Sequence, residues 1–386
     1  MLRTIMKKIL NMVCMLIVNI YRYKPNPNKI LVIRADALGD FIIFSPLITR
    51  YIDLYRDYDV FFLVNSSAVE LAQILLPVDH IIKFDRKRSG LNIIYRIKFL
   101  ISLKKSGFIT AIHTTYSRDM TGDLLAKSTC AKTIIGYEGD LSNISKEQKM
   151  ADDKIYTYLV PNNPKLTKEI ERNIHFINSL GDNLRFDLTP HFDLTEERIK
   201  LGEYILLKQG YVKDYPYVVI HPGASFFYKR WPVQKFTEII NYLTNDLDYY
   251  CVITGTNDEK YISEYFNRNN KKIINTIGKL TVAELLSILK KATFCLSNDT
   301  ATVHISASVY TPVICIMGGG HFRRFFPYDS NGNRIVYNKN MKCLNDNWEC
   351  SRGHTDKTAP CVESITVKQV RIEIDNLLKF LIRNNK

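Results

Sequence analysis

Short apolar, β-rich runs alternate with helical stretches from Lys29 onward, and this alternation constrains the fold more than any other feature of the sequence. Strands are predicted near residues 29–35, 59–65, 80–85, 108–114 and 132–137, and again near 217–220, 249–254, 272–277, 293–297 and 312–317. Strands separated by helices pair in parallel, so each series predicts a doubly wound α/β sheet. The Asn- and Lys-rich segment between the two series, about 140–215, predicts two separate domains.

The length of 386 residues agrees with two domains, because single cores rarely grow beyond about 250–300 residues. We place Rossmann-like domains at 25–190 and 191–365, a basic segment at 1–24 and a final helix at 366–386. An apolar content of 46% excludes a disordered or collagen-like chain. Such domains bind ligands at the carboxyl ends of their strands, so residues just after each strand are the functional candidates.

Residues 1–24 combine basic residues, an apolar middle and no acidic residue. This pattern is typical of a helix that lies in a membrane surface, which is the interpretation we favour. An ordinary docked helix fits the same residues, and a secretory signal would need a small-residue cleavage site that does not follow here. No stretch reaches the roughly 18–20 apolar residues of a membrane-spanning helix.

The chain carries 53 Lys and Arg against 39 Asp and Glu, a formal net charge of +14, which favours an anionic partner. Residues 83–105 hold eight of these cations and one acid, Asp85. That run suits an anionic acceptor or a membrane face, although a solvated helix face explains it equally well. No recognition motif or aromatic platform accompanies the charge, so nucleic acid is not expected as a partner.

Eight cysteines are too few for a disulfide scaffold, which indicates a reducing compartment. Cys343, Cys350, His354 and Cys361 share the tail, but their spacings differ from those of common zinc sites, so we expect local packing there rather than a structural zinc. Two literal Asp-x-Asp pairs begin at Asp57 and Asp246 and precede strands, which is the wrong end of a sheet for metal-dependent sugar transfer.

The first predicted strand runs into residues 36–40 (DALGD) and then into an apolar helix. The glycine turn presents Asp40 at the helix start, where the helix dipole favours an ionised carboxylate. Such a carboxylate could accept a proton from a sugar hydroxyl, although a simple N-cap aspartate also fits.

The second series opens with a strand followed by residues 221–225 (HPGAS) and 229–232 (KRWP). A strand, a glycine turn and a basic loop are typical of an anion site. Lys229 and Arg230 would neutralise phosphate there, and Ser225 would donate a hydroxyl hydrogen bond. A solvated basic loop around a buried tryptophan is the alternative.

Residues 297–304 (SNDTATVH) place a helix start directly after another strand. Backbone N–H groups at Thr300, Ala301 and Thr302 would suit a diphosphate. His304, one turn further, is expected to be a satisfied helix residue unless a ligand reaches it. The next strand ends in three glycines at 318–320, which would let a ligand approach the backbone. Neither half contains G-x-G-x-x-G or a Walker lysine loop, which argues against a dehydrogenase or an NTPase.

Together and in this order, the three motifs resemble the glycosyltransferase family 9 heptosyltransferases, which add heptose to the inner core of lipopolysaccharide. The resemblance covers most of the chain from Lys29 on. It implies a GT-B fold with a central cleft and an inverting, metal-independent transfer without a cofactor. The donor would be a nucleotide sugar, typically ADP-heptose, and the acceptor an anionic glycolipid at the cytoplasmic face of the inner membrane of a Gram-negative bacterium.

By the same resemblance, Asp40 matches the family's proposed general base and Lys229 matches the lysine that meets the donor phosphates. The other donor contacts that it implies are Ser225, Glu259, Leu280, Thr281, Asp299, Thr300, Ala301 and His304. Further candidate contacts to an anion or to the acceptor are Arg34, Arg230 and Gly319.

Ala301 stands where the family commonly has glycine, and the final helix is expected to pack back on the first domain. Two other hypotheses stay open at this point. One is a catalytically silent protein of the same fold that binds a sugar nucleotide or a lipid surface. The other is a transferase that uses another nucleotide sugar.

Overall fold

The structure is a computed structural model that describes residues 2–185, 188–266, 269–328, 332–351 and 356–384. The chain divides into two compact units, Met1–Leu188 and Thr189–Lys386. Each unit has its own sheet and its own buried core. The division falls close to the boundary at residue 190 that the sequence predicts.

The first unit contains a six-stranded sheet, parallel throughout, in the order β3-β2-β1-β4-β5-β6. Its strands are β1 (Asn26–Arg34), β2 (Asp59–Asn65), β3 (Ile81–Phe84), β4 (Phe108–His113), β5 (Thr133–Tyr137) and β6 (Tyr158–Val160). The chain builds outward from β1 to β3 and then continues on the other side of β1 with β4. The topological switch point, where such sheets bind ligands, therefore lies between β1 and β4.

The second unit repeats this arrangement with the order β12-β11-β10-β7-β8-β9, also parallel. Its strands are β7 (Tyr217–His221), β8 (Tyr250–Ile253), β9 (Ile273–Asn275), β10 (Cys295–Asn298), β11 (Val313–Ile316) and β12 (Arg334–Val336). Its switch point lies between β7 and β10. The ten predicted strands are all present, and β6 and β12 are additions that the sequence analysis did not predict.

Helices connect the strands, and strands inside the sheets are buried along apolar runs, as in residues 30–33 of β1 and in β8. In the first unit the helices are α1 (Leu2–Ile20), α2 (Leu38–Phe44), α3 (Ile48–Leu54), α4 (Val69–Leu75), α5 (Arg86–Leu91), α6 (Ile93–Lys105), α7 (Met120–Ser128), α8 (Lys146–Asp152) and α9 (Glu169–Asn178). In the second unit they are α10 (Glu196–Leu207), α11 (Val233–Asn241), α12 (Val282–Leu289), α13 (Ala301–Ser308), α14 (Pro360–Glu363) and α15 (Val367–Asn384). A 3₁₀ segment, Asn257–Tyr265, follows β8.

Helix α1 packs on α6 and α7 of the first unit, with Cys14, Met15 and Val18 buried in the core. Near its carboxyl end, Lys104 Nζ donates to the Val18 carbonyl oxygen at 3.2 Å, which places a cation where the helix dipole favours one. The helix is therefore docked along one face. None of the described helices combines the length and apolar character needed to span a bilayer.

Helix α15 buries Val370, Ile374 and Leu377 in the core of the second unit, against α11 and β12. The expectation that this helix packs back on the first domain stays a prediction. The amphipathic pattern identifies which face is buried, but it carries no information about which element covers that face.

We expect Leu377→Ala to lower the free energy of unfolding of the second unit by about 3 kcal/mol, because it removes a fully buried side chain and leaves a cavity. Urea unfolding followed by tryptophan fluorescence measures this, since Trp231 and Trp348, the two tryptophans of the chain, both belong to that unit. The matched control is Ile372→Ala on the exposed face, with a change within about 0.5 kcal/mol. Equal losses for the two variants would contradict the placement of the buried face.

Candidate active site

In the first unit, the chain leaves β1 at Arg34 and enters α2 at Leu38, which places Asp40 in the first turn of that helix. The N-cap residue, Ala37, makes no side-chain capping hydrogen bond, and Asp40 is the acidic residue of the turn. A carboxylate in the first turn of a helix lies at the positive end of the helix dipole. Asp40 is half-buried at the carboxyl edge of the sheet, at the place that the sequence predicts.

Arg34 is buried below this turn, with 1% of its surface exposed. Its Nη1 donates to Asn173 Oδ1 at 3.2 Å and to the Thr114 carbonyl at 3.4 Å, and its Nη2 donates to the Asp40 carbonyl at 3.3 Å. The guanidinium thus links β1, β4, α2 and α9. Its burial favours a bracing role over the predicted contact with an anion or acceptor.

Asp36 is a second acid at the end of β1, to which the sequence analysis assigned no role. Its Oδ1 lies 3.2 Å from Arg34 Nε, and its Oδ2 accepts from Thr115 Oγ1 at 3.3 Å. Burial raises the pKa of Asp36, and the Arg34 guanidinium offsets part of that rise. The signal that could have identified Asp36 is its position directly after the strand.

In the second unit, the side chain of Asn298 joins three segments around the switch point. Its Nδ2 donates to the carbonyls of Pro222 and Gly223 at 2.7 and 3.2 Å, and its Oδ1 accepts from the Trp231 backbone N–H at 3.0 Å. Asn298 is fully buried at the end of β10. It therefore positions both loops of the predicted anion site, a role that the sequence analysis missed.

Lys229 and Asp299 come together at this point. Lys229 Nζ lies 3.8 Å from Asp299 Oδ2 and 5.4 Å from the centre of a Trp348 ring. Thr300 is the N-cap of α13 but makes no side-chain capping hydrogen bond, and the helix begins at Ala301. The Thr300 side chain thus leaves the first backbone N–H groups of α13 uncapped. Such N–H groups, with a cation beside them, are suited to binding phosphate.

Glu259 lies beside the loop after β7. Its Oε2 accepts from the Thr256 backbone N–H at 2.7 Å and lies 3.8 Å from His221 Nε2. A Cβ atom at Gly223 would lie 1.9 Å from Glu259 Oε1, so the close approach of this acid requires glycine in the HPGAS loop. Burial lowers the pKa of His221, whose Nδ1 lies 2.8 Å from Thr302 Oγ1.

Two other loop candidates differ in how they are held. Ser225 is exposed. Arg230 donates from Nε to the Ala224 carbonyl at 2.8 Å and from Nη1 to the Tyr261 hydroxyl. Arg230 therefore shapes the HPGAS loop, and its contact with an anion stays a prediction.

Leu280 and Thr281 lie at the start of α12. Thr281 is the N-cap, and its Oγ1 accepts from the Glu284 backbone N–H at 3.2 Å. Glu284 Oε2 in turn accepts from the Thr281 N–H at 2.8 Å, which completes a capping box. Leu280 is half-buried beside it, and a contact of either residue with the donor stays a prediction.

His304 is buried on α13, where its Nδ1 lies 2.7 Å from the Tyr328 hydroxyl. Burial lowers its pKa to about 4, so the imidazole is neutral at pH 7. His304 thus has the environment of a satisfied helix residue, and its contact with a donor stays a prediction.

The three glycines at 318–320 are covered rather than open. A Cβ atom at the first or third of them would lie within 2.4 Å of the Trp348 ring. The Gly319 N–H donates to Cys361 Sγ at 3.4 Å, and a Cβ there would lie 2.1 Å from the Cys343 carbonyl oxygen. The tail of the chain thus surrounds Gly319, and its contact with a ligand stays a prediction.

Ligand atoms of Cys343, Asp346 and Cys350 lie within 4.8 Å of one another in the tail. His354 lies outside the described residues. Both Asp-x-Asp pairs lie at the amino ends of strands, as expected: the first runs into β2, which begins at Asp59, and the second precedes β8, which begins at Tyr250.

Residues 122–353 match the model of the family described as glycosyltransferase family 9 (heptosyltransferase). The chain belongs to glycosyltransferase family 9. The family 9 match includes Lys229 and the start of α13, whereas Asp40 precedes it.

Two curated proteins are similar to this family 9 chain. Lipopolysaccharide heptosyltransferase 3 of Escherichia coli (strain K12) is 31% identical over 183 residues, which are 46% of this chain and 51% of that protein. Lipooligosaccharide heptosyltransferase 2 of Campylobacter jejuni is 23% identical over 229 residues, 56% of this chain and 66% of that protein. The chain thus spans between half and two thirds of the length of these relatives.

A solved structure described as the E. coli ADP-heptose lps heptosyltransferase II has a similar fold. Its TM-score is 0.67 at 18% identity, and the match covers 93% of this chain and 100% of that one. This similarity confirms the GT-B fold class that the sequence predicts for this family 9 member.

The pKa of His304 makes stability fall in acid. The folded-state pKa of about 4 lies below the unfolded value near 6.5, so the unfolded state binds the proton first as the pH falls. The contribution of His304 to the free energy of unfolding is fully present above about pH 6.5 and is lost as the pH falls from about 6.5 to about 4. By pH 5 the free energy of unfolding has decreased by about 2 kcal/mol on this account.

We therefore expect His304→Gln to reduce the difference between the free energies of unfolding at pH 7 and pH 5 by about 2 kcal/mol. Urea unfolding at both pH values measures it. His191→Gln, at an exposed histidine of the same unit, is the control that keeps the wild-type difference. An unchanged difference in His304→Gln would show that this histidine is not held neutral by burial.

Proposed function

We propose that the protein transfers a heptose from ADP-heptose to an anionic glycolipid of the lipopolysaccharide core type, with inversion and without a catalytic metal. The observation that carries this proposal is Lys229 beside the N-terminus of α13, at the switch point of the second unit. Membership of family 9 supports the reaction class. The names of the relatives support the sugar and the acceptor, and the E. coli neighbour supports the donor.

The second unit provides the donor half of the reaction. As the bond between the sugar carbon and the phosphate oxygen breaks, negative charge develops on the departing nucleoside diphosphate. Lys229 and the N–H groups of the first turn of α13 would stabilise that charge. A preorganised hydrogen-bond donor of this kind lowers the reaction barrier by about 3 kcal/mol, which is why a fixed lysine can replace a metal ion.

The first unit provides the acceptor half. Asp40 would take the proton of the acceptor hydroxyl while its oxygen forms the new bond to the sugar carbon, opposite the departing diphosphate. Displacement from the opposite face inverts the configuration at that carbon. The hydrogen bond from Arg34 to the Asp40 carbonyl fixes the turn that carries the carboxylate.

We expect Asp40→Asn to lower kcat by about 10³-fold, since it removes the base, and to leave the Kd for ADP-heptose within about twofold. Release of nucleoside diphosphate from a panel of nucleotide sugars measures turnover, and calorimetry measures binding. The control is Asp57→Asn at an exposed acid before β2, which leaves both quantities unchanged.

Three results would contradict parts of this proposal. Equal turnover by Asp40→Asn and wild type would remove Asp40 as the base. Binding of ADP-heptose without release of ADP for any acceptor would favour the catalytically silent alternative. Turnover that depends on added Mg²⁺ or Mn²⁺ would contradict the role given to Lys229.

We also propose that the protein works at the inner face of the cytoplasmic membrane, where a glycolipid acceptor would lie. Helix α1 leaves an apolar stripe exposed opposite its docked face: Ile9, Met12, Val13, Leu16 and Ile20. Ile94, near the start of the neighbouring helix α6, is exposed. It lines a groove together with Lys98 of the same helix and Arg88 of α5. Apolar side chains flanked by cations are typical of a helix that binds an anionic lipid surface.

We expect Leu16→Asp to weaken binding to vesicles containing about 30% phosphatidylserine by about tenfold, because an exposed leucine contributes about 1.5 kcal/mol when lipid covers it. Cosedimentation measures the bound fraction. Val212→Asp, at a similarly exposed apolar residue of the second unit, keeps wild-type binding. Identical losses for both variants would point to charge alone and count against α1 as the membrane contact.

A further inference from the structure

The loop between β12 and the last two helices brings three metal-ligating side chains together. The Sγ atoms of Cys343 and Cys350 and a carboxylate oxygen of Asp346 all lie within 4.8 Å of one another. None of the eight cysteines, all of which lie in the described residues, forms a disulfide, so both sulfurs are thiols. Two thiols and a carboxylate at such distances form a donor set that suits a thiophilic divalent ion.

The distances agree with a single tetrahedral ion. With Zn–S bonds of about 2.3 Å and Zn–O bonds of about 2.1 Å, tetrahedral ligands lie about 3.6–3.8 Å apart. The observed separations exceed this by no more than about 1 Å, which an exposed loop can close. Cys350 is exposed, so an ion has access from solvent.

The backbone of the same loop is held in an unusual conformation. Asn345, Asn347 and Trp348 have positive φ values of 58°, 53° and 60°, a region that a tryptophan rarely adopts. Asp346 Oδ1 accepts from the Trp348 N–H at 3.0 Å, so this acid already orders the turn. This turn lies between the first and the last of the three ligand residues in the chain.

We propose that Cys343, Asp346 and Cys350 bind one zinc ion, with a water molecule in the fourth position. The ion would take no part in the reaction and would instead fix the loop that carries Trp348. The Trp348 ring covers the glycines at 318–320 and lies 5.4 Å from Lys229 Nζ. A metal site in the tail would thereby stabilise the surroundings of the lysine.

Metal content of the full chain tests this directly. Wild-type protein purified under reducing conditions is expected to contain one zinc per chain by plasma mass spectrometry. Stripped protein is expected to take up one equivalent of added zinc. Cys343→Ser and Cys350→Ser should each reduce the bound zinc at least tenfold. Cys130→Ser, at a half-buried thiol of the first unit, is the matched control and keeps it.

Tryptophan fluorescence supplies a second measurement that needs no substituted cysteine. Stripping zinc from the wild type should shift the emission of Trp348 and adding zinc should restore it, whereas Trp348→Phe should show no zinc-dependent change. Stripped wild type that binds no zinc with micromolar affinity would overturn the proposal. Recovery of a Cys343–Cys350 disulfide under reducing conditions would overturn it too. Neither result bears on sugar transfer, because neither measurement depends on turnover.

Discussion

The candidate site of the second unit depends on the buried amide of Asn298. It satisfies backbone groups of Pro222, Gly223 and Trp231, which belong to the loop after β7 and the loop before α11. A buried backbone group left without a partner costs about 1–3 kcal/mol, so replacing this amide by an apolar side chain would leave three such costs at one point. A single side chain therefore sets the positions of the glycine turn, the basic loop and, through the adjoining residues, the start of α13.

The first unit also uses a buried polar side chain to hold together the segments at its switch point, but this side chain is a guanidinium and not an amide. Both sheets have the same strand order, so both open a crevice between their central strands. In the first unit the long side chain of Arg34 crosses this region and donates to Thr114, Asn173 and the Asp40 carbonyl. In each unit a buried polar residue braces the turn that carries a candidate catalytic group. Such residues look like ligand contacts in the sequence because they occupy the same positions after strands.

The strands were predictable because runs of Val, Ile and Leu that are buried on both faces leave a strong signal. The edge strands β6 and β12 have three residues each, too few for any period to show. The edge strand β9 is equally short but was predicted from the longer apolar stretch at 272–277 in which it lies. The positions of candidate site residues were predictable where they follow strands in the chain, as Asp40, Lys229 and Asp299 do, and their functional roles stay predictions. The site was not predictable where a distant segment supplies the contact. Trp348 lies in a polar tail, and nothing local indicates that it packs on the glycines at 318–320. For the same reason the partner of α15 could not be inferred from its amphipathic face.

Helix α1 has a consequence for how the protein is prepared. Its buried residues share a core with Leu100 and Leu103 of α6 and with Leu124 of α7. Truncated versions that start after the Pro25-Asn26-Pro27 breaker would leave this leucine-lined surface open to water and favour self-association. A recombinant preparation that keeps the first helix and uses a mild detergent preserves both the packing of the unit and its exposed stripe.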